Sequence, residues 1–143
     1  MLGGKNMLEK EEYIIDRFIF HGGMNKLVKD LKGTTTGLKY KREEFPRKSP
    51  IDVLAEDING NVFVFELYYT LPSISNLLQK IKTRKIRKYG KYKDIKFVAI
   101  IPHNSLSDYG PHLVNEDIIV AYWDETTAGQ VSFGISRAYQ KTS

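Results

Sequence analysis

The chain has no cysteine among its 143 residues, so disulfide bonds, thiolate zinc sites and a thiol nucleophile are excluded. No apolar run approaches the roughly 20 residues that a membrane-spanning helix needs. Residues 1–10 lack the apolar middle of a signal peptide. The three histidines are scattered singly, which argues against a histidine metal site. We therefore expect a soluble, cytoplasmic protein that makes no contact with membranes.

The chain does contain enough apolar surface for a core, since 41% of its residues are hydrophobic and 12% are aromatic. A length of 143 residues is typical of one domain. We expect residues 1–143 to form a single domain, with its core at about residues 9–123 and an edge strand or tail at residues 124–143.

Positive charge is concentrated in one segment. The net charge is +5, yet residues 80–96 contain nine Lys or Arg against one acid, Asp94, and the rest of the chain carries a net charge of −3. A basic segment on a chain that is otherwise slightly acidic usually binds a polyanion. We expect that partner to be a nucleic acid; an α/β interaction domain whose basic helix docks an acidic protein would give the same pattern.

Hydrophobic periodicity predicts the order of helices and strands. A helix begins after an Asn6 cap, and a shorter helical piece follows at residues 24–32. The predicted strands are residues 38–43, a strand that begins near Pro50 and is joined by a hairpin turn to residues 62–69, and residues 95–101 and 118–123, with a helix at about residues 74–89. The order α-β-β-β-α-β with an additional C-terminal strand predicts an α/β fold with a mixed sheet flanked by helices. The strand-helix-strand unit at residues 62–101 should pair its strands in parallel.

An acid interrupts each strand of the predicted hairpin, Asp52 in the first and Glu66 in the second. A buried acid is unfavourable unless it is paired or binds a metal, so two acids on adjacent strands indicate a cation site. A two-residue turn would place them on opposite faces, whereas a three-residue loop at residues 58–60 would place them side by side. We favour the longer loop because it also gives a uniform apolar face; a bulge near Pro50 would have the same effect.

These residues and this element order resemble the PD-(D/E)xK nuclease superfamily, which includes restriction enzymes and archaeal junction resolvases and has an αβββαβ core, the restriction-endonuclease-like fold. Pro50-Ile51-Asp52 is similar to the first motif with one inserted residue, and Phe65-Glu66-Leu67 is similar to the second. The resemblance spans about residues 9–101. It implies a metal-dependent endonuclease that hydrolyses DNA, with Mg²⁺ or Mn²⁺ held by Asp52, Glu66 and the Leu67 carbonyl. It also allows a homodimer.

Tyr68 departs from the motif at the position of its catalytic lysine. A tyrosine, with an ordinary pKa of about 10, provides no positive charge at pH 7. Two interpretations remain open. Either Lys80 or Lys82 of the following helix provides the catalytic cation, as in some members of the superfamily, or the chain is a catalytically degenerate nucleic-acid-binding protein. The resemblance also implies a catalytic acid on the first helix, for which Glu12 is the preferred candidate.

The basic segment predicts a surface that follows the phosphates of a nucleic acid. Lys and Arg contacts to phosphates give affinity and salt dependence but little sequence choice, and tyrosines stack on exposed bases. The predicted nucleic-acid-binding residues are Lys80, Lys82, Arg84, Lys85, Arg87, Lys88, Tyr89, Lys91, Tyr92 and Lys93.

Overall fold

The structure, a computed structural model, describes residues 3–43, 51–87, 89–92 and 94–140. The helices in these ranges are α1 (Gly3–Phe20), α2 (Gly23–Asp30), α3 (Ile74–Arg87) and α4 (Leu106–Asn115), with a 3₁₀ turn at His103–Ser105. The strands are β1 (Lys39–Glu43), β2 (Ile51–Glu56), β3 (Val62–Leu67), β4 (Ile95–Pro102), β5 (Ile119–Glu125) and β6 (Val131–Ile135). None of the helices in the described ranges is both long and apolar enough to cross a membrane.

The strands form one mixed sheet in the order β1-β2-β3-β4-β5-β6. β1, β2 and β3 pair antiparallel, β3, β4 and β5 pair in parallel, and β6 returns antiparallel to β5. β3 and β4 pair in parallel and α3 connects them, so the predicted parallel unit is confirmed. The α/β fold with an αβββαβ core is also confirmed, and α4, β5 and the edge strand β6 extend it. That residues 1–143 form one domain stays a prediction.

Helices cover both faces of the sheet, and each face has its own apolar core. The core beneath α1 and α2 includes Ile14, Ile15, Phe18, Leu27, Val28, Val53, Ala55, Phe63, Phe65 and Leu67. The core beneath α3 and α4 includes Val64, Tyr68, Leu77, Ile81, Tyr89, Phe97, Ala99, Leu113 and Val120. Successive residues of β2 and β3 alternate between these two cores, so the position of a residue in its strand decides which helices it faces.

The β2–β3 hairpin turns through the three-residue loop that the sequence favours. Gly60 has φ +86°, a left-handed conformation that glycine adopts without a side-chain clash. The Asp57 N–H donates to the Asn61 carbonyl at 3.0 Å, and the Gly60 N–H donates to the Asp57 carbonyl at 3.0 Å. The resulting register pairs Asp52 with Glu66. The predicted loop and the shared face of the two acids are therefore confirmed.

The Asp57 side chain fixes this loop. Its carboxylate accepts hydrogen bonds from the backbone N–H groups of Thr34, Asn59 and Asn61 at 2.9–3.0 Å and from the Asn61 side-chain amide at 2.8 Å. The bond from the Asn61 side chain has the largest effect, and together with the backbone bonds it outweighs burial and lowers the pKa of Asp57 from 3.8 to about 2. The ionised form of Asp57 thus helps to set the register that pairs the two acids.

Candidate active site

Asp52 and Glu66 lie opposite each other on β2 and β3. Residues paired in this way share a face of the sheet, with Cβ atoms about 4.5–5.5 Å apart. Both acids face α3, and both are 0% exposed. Two adjacent carboxylates without water repel each other and lose their hydration, so this pair requires partners from the protein.

Glu66 has a cationic partner and a neutral one. The Tyr68 hydroxyl donates to Glu66 Oε1, and Arg84 Nη1 donates to Glu66 Oε2 at 3.0 Å. Tyr68 is two residues beyond Glu66 in the extended chain and therefore lies on the same face, whereas Arg84 reaches Glu66 from α3. The Arg84 side chain is 19% exposed, so this ion pair lies at the boundary between the core and the surface.

The two partners of Glu66 differ in charge. Burial, followed by the negative charge of Glu66, raises the pKa of the Tyr68 hydroxyl well above its ordinary value. Burial acts to lower the pKa of Arg84, but the charge of Glu66 and its hydrogen bond outweigh burial, so the pKa of Arg84 rises. At neutral pH Tyr68 is therefore a neutral donor and Arg84 carries the positive charge.

Asp52 is held by a tyrosine that follows α3. The Tyr89 hydroxyl donates to Asp52 Oδ2 at 2.8 Å. Tyr89 is 2% exposed, and its ring meets the ring of Phe97 edge to face, with 6.4 Å between centroids. This corrects the prediction that Tyr89 stacks on nucleic-acid bases, because its ring belongs to the core and its hydroxyl binds the candidate site.

Of the two lysines predicted to provide the catalytic cation, Lys82 is paired with another acid and Lys80 lies on the exposed side of α3. The Lys82 ammonium forms an ion pair with Glu116, at the end of α4, at 3.0 Å. Lys80 is exposed on α3 and lines a surface cavity. The cation that the structure brings to Glu66 is Arg84, which the sequence suggested only for phosphate binding.

The helical spacing of Arg84 indicates a position over the sheet, although from the sequence Arg84 was predicted only as a phosphate contact. Leu77, Ile81 and Arg84 are spaced i, i+4 and i+7, so they lie on one stripe of α3. Leu77 and Ile81 are both fully buried, which places Arg84 over the sheet at the end of an apolar stripe. The hydroxyl of Ser73 accepts the Asn76 N–H at 3.3 Å and helps to fix where this helix begins.

Glu12 lies on the other side of the sheet from the acid pair. Its carboxylate accepts a hydrogen bond from Arg42 Nη2 at 3.1 Å. Arg42 is opposite Val53 in the β1–β2 register, and Val53 belongs to the core beneath α1. The structure therefore does not bring Glu12 together with Asp52 and Glu66.

The structure describes some of the other residues that were predicted to contact nucleic acid. Lys91 is exposed, and its ammonium lies 5.3 Å from the centre of the half-buried Tyr92 ring. Lys85 is half-buried on α3. Arg87 is the last residue of α3, whereas Lys88 and Lys93 lie outside the described residues.

A tryptophan anchors the chain just after Glu66. The Trp123 indole N–H donates to the Tyr68 carbonyl at 2.9 Å. Its ring stacks on the Tyr69 ring, with 5.4 Å between centroids. This contact from β5 holds the backbone that carries the Tyr68 hydroxyl, and so helps to hold the hydroxyl itself against Glu66.

The acid pair has the donor chemistry of a magnesium or manganese site. No group of three or more His, Cys, Asp or Glu side chains is placed to hold a metal ion in the part of the chain that the structure describes. Two carboxylates nevertheless suit Mg²⁺, which takes oxygen ligands and usually only one or two protein carboxylates. The Leu67 carbonyl, at the end of β3, stays the predicted third ligand. A metal ion at this site would have to bind a Glu66 carboxylate that already accepts hydrogen bonds from Arg84 and Tyr68.

Comparisons with known proteins add little to this picture. No protein-family model matches the chain, and the curated proteins give no match. Among solved structures, the chain is similar to EndoMS in apo form, with 20% sequence identity and a TM-score of 0.42. The match covers 68% of this chain and 43% of that one, so this chain corresponds to less than half of EndoMS. A likeness at this level says nothing about the site, which we interpret from its own residues.

Proposed function

We propose that this chain is a metal-dependent nuclease that hydrolyses phosphodiester bonds in DNA, with Asp52, Glu66 and Arg84 as its catalytic residues. The convergence of these three side chains supports the proposal most strongly. Two carboxylates share one face of the sheet in direct register, and a guanidinium lies 3.0 Å from one of them. Buried ion pairs contribute little to stability compared with apolar packing, so a chemical role explains this arrangement better than a structural one.

The proposed chemistry divides the work among the three residues. A Mg²⁺ or Mn²⁺ ion held by Asp52 and Glu66 would acidify a bound water and polarise the phosphoryl oxygens. Arg84 would contribute a permanent positive charge and a fork of N–H donors that matches phosphate oxygens. It would thereby replace the lysine whose position is taken by Tyr68.

The two tyrosines would position the carboxylates. Tyr68 donates to Glu66 and Tyr89 donates to Asp52, so each hydroxyl restricts the rotation of one acid. Because the pKa of Tyr68 is raised, its hydroxyl keeps its proton and remains a donor throughout the neutral pH range. In this proposal Tyr68 does not act as a base and does not supply charge.

A surface cavity provides a route to Arg84. It has a volume of about 330 Å³ and is lined by Asn76, Gln79, Lys80, Thr83 and Arg84. Amide, hydroxyl and cationic groups of this kind suit a phosphate. Because Asp52 and Glu66 are 0% exposed, we propose that a substrate phosphate in this cavity draws Arg84 away from Glu66 and so makes the carboxylate accessible.

One observation favours a second function, which is nucleic-acid binding without cleavage. Both carboxylates are fully buried, and Glu66 is already compensated by Arg84 and Tyr68. A degenerate site, in which a guanidinium has taken the place of the metal ion, would have the same contacts. The basic residues of α3 and of the turn after it would then carry the function by binding phosphates.

Cleavage of end-labelled duplex, single-stranded and branched DNA separates these two functions. We expect products with Mg²⁺ or Mn²⁺, no products with EDTA, and none with Glu66→Gln, which keeps the size of the side chain but removes its charge. Glu125→Gln, an exposed site on β5, is the matched control and should cleave like the wild type. Salt-sensitive binding without metal-dependent cleavage of any substrate would support the second function instead, and the absence of both would contradict both.

A further inference from the structure

We infer that a cavity between β1, β2 and the turn after α3 binds one base of a single-stranded DNA, with Tyr92 as the stacking surface and Lys39 and Lys41 as phosphate contacts. This inference rests on the proposed function, because it extends the nucleic-acid path on the face of the sheet that carries the acid pair. It assigns a role to two lysines that lie outside the basic segment.

The shape and lining of the cavity suit one base. Its volume is about 170 Å³, and it is lined by Lys39, Tyr40, Lys41, Leu54, Glu56, Val62 and Tyr92. Leu54 and Tyr92 are half-buried and Val62 is buried, so apolar side chains and an aromatic ring form the inner part. A planar base would cover that apolar surface, and a base that is not stacked within a duplex has a ring face available for it. The cavity therefore favours a single strand over a duplex.

The two lysines stand on the same face of the sheet as Asp52. In the β1–β2 register Lys39 is opposite Glu56 and Lys41 is opposite Leu54, and alternate residues of a strand share a face. Two residues of a strand span about 6.6 Å, so the row of Lys41 lies about 7 Å, and the row of Lys39 about 13 Å, from the row of Asp52. Both lysines are exposed. They form a line of positive charge that leads from the cavity toward the acid pair.

Tyr92 contributes an aromatic ring to the lining of the cavity. The Lys91 ammonium lies 5.3 Å from the centre of the Tyr92 ring, so a cation and a ring sit together beside the lysines of β1. Stacking on a tyrosine tolerates any base, since every base has a π face. Lysines on an edge strand also prevent pairing between sheets, and that role would not depend on Tyr92. The contribution of Tyr92 to binding is thus what distinguishes the two explanations.

Binding of a fluorescently labelled ten-nucleotide DNA strand, measured by anisotropy in EDTA, tests the inference without cleavage. We expect Tyr92→Leu to weaken binding about tenfold and Tyr92→Phe, which keeps the ring, to bind like the wild type. Lys39→Ala with Lys41→Ala should lower the slope of log K against log salt by about 1.4, the value for two single-strand phosphate contacts. Lys29→Ala, an exposed lysine on α2 beneath the other face, is the matched control and should change binding less.

A 2-aminopurine base within the same strand reports stacking directly. Its fluorescence should fall on binding to the wild type and to Tyr92→Phe, and should stay near the value of the unbound strand with Tyr92→Leu at saturating protein. Equal affinity and equal quenching in Tyr92→Leu and the wild type would overturn the inference, as would a salt slope unchanged by loss of both lysines. Tyr92-dependent binding without cleavage would contradict only the proposed nuclease activity. Cleavage without any effect of Tyr92 would contradict only this inference.

Discussion

The guanidinium of Arg84, on α3, donates a hydrogen bond of 3.0 Å to the carboxylate of Glu66, near the end of β3. Glu66 is 0% exposed, and the Arg84 side chain is 19% exposed. Among the hydrogen-bond partners of Glu66 in the described part of the chain, the positive charge therefore comes from the helix α3, whereas Tyr68, two residues after Glu66, donates a neutral hydroxyl. The importance of this ion pair can be measured.

Loss of Arg84 should destabilise the fold. Arg84→Met leaves the buried Glu66 charge without its cation, and removal of one partner of a buried ion pair costs about 3–5 kcal/mol. We expect about 3 kcal/mol, because Arg84 is partly exposed. Urea denaturation at pH 7 measures this value. Lys80→Met, an exposed site on the same helix, is the control, and equal stability of the two variants would contradict the importance of the ion pair.

Under the proposed function, Arg84 should also be replaceable by a lysine at residue 68. Arg84→Met is expected to slow single-turnover cleavage about 10²–10³-fold, as loss of one transition-state donor usually does. Addition of Tyr68→Lys should restore part of that rate, whereas Tyr69→Lys, one residue further along, should not. If the double variant with Tyr68→Lys stays as slow as Arg84→Met alone, a positive charge at residue 68 cannot replace that of Arg84.

Tyr89 should contribute to stability through its hydroxyl. Tyr89→Phe removes one donor from the buried Asp52 carboxylate, and loss of a partner for a buried polar group costs about 1–3 kcal/mol. Tyr92→Phe removes a hydroxyl from a half-buried ring and serves as the control, with little expected change. Thermal or urea unfolding of both variants provides the comparison, and a Tyr89→Phe variant as stable as the control would show that Asp52 does not depend on this bond.

Much of this arrangement could be predicted from the sequence. The acids stood out because Asp52 and Glu66 interrupt apolar strands, and the three-residue loop with Gly60 left-handed decided that they share a face. These are local features, set by alternation along a strand and by the geometry of a tight loop. The parallel pairing across α3 also follows from a general rule of chain connection.

The remainder depends on tertiary contacts. Tyr89 follows α3 in a strongly basic segment, and nothing local indicates that its ring turns into the core to meet Asp52. Glu12 was predicted as a catalytic acid from a resemblance alone, but the packing of α1 directs it toward Arg42 on the other face. The position of Arg84 could be predicted only in part. Its spacing from Leu77 and Ile81 indicated the buried stripe of α3, whereas its charge suggested a solvent-exposed position.

The hairpin loop should make stability depend on pH in the acid range. The folded-state pKa of Asp57 is about 2 against an ordinary 3.8, so the ionised group stabilises the fold above about pH 3.8, and this contribution is lost as the pH falls through about 2. We expect Asp57→Asn to be less stable than the wild type at pH 7, with a difference that narrows as the pH falls through that window.

Denaturant midpoints recorded across this pH range measure the difference. Asp94→Asn, at an exposed position, should follow the wild type at every pH. A constant gap between Asp57→Asn and the wild type from neutral pH down to about pH 2 would contradict the role of the ionised carboxylate in the loop.

The most direct test of the catalytic proposal is the binding of Mn²⁺, followed by the loss of the electron paramagnetic resonance signal of the unbound ion. The proposal predicts that the wild type, with a bound non-cleavable DNA strand present, binds Mn²⁺ at one site per chain. It also predicts that Asp52→Asn and Glu66→Gln each abolish that site, while Glu125→Gln retains it. Binding that is equal in all four proteins, or absent from the wild type at millimolar Mn²⁺, would contradict the claim that Asp52 and Glu66 together form a metal-dependent hydrolytic site.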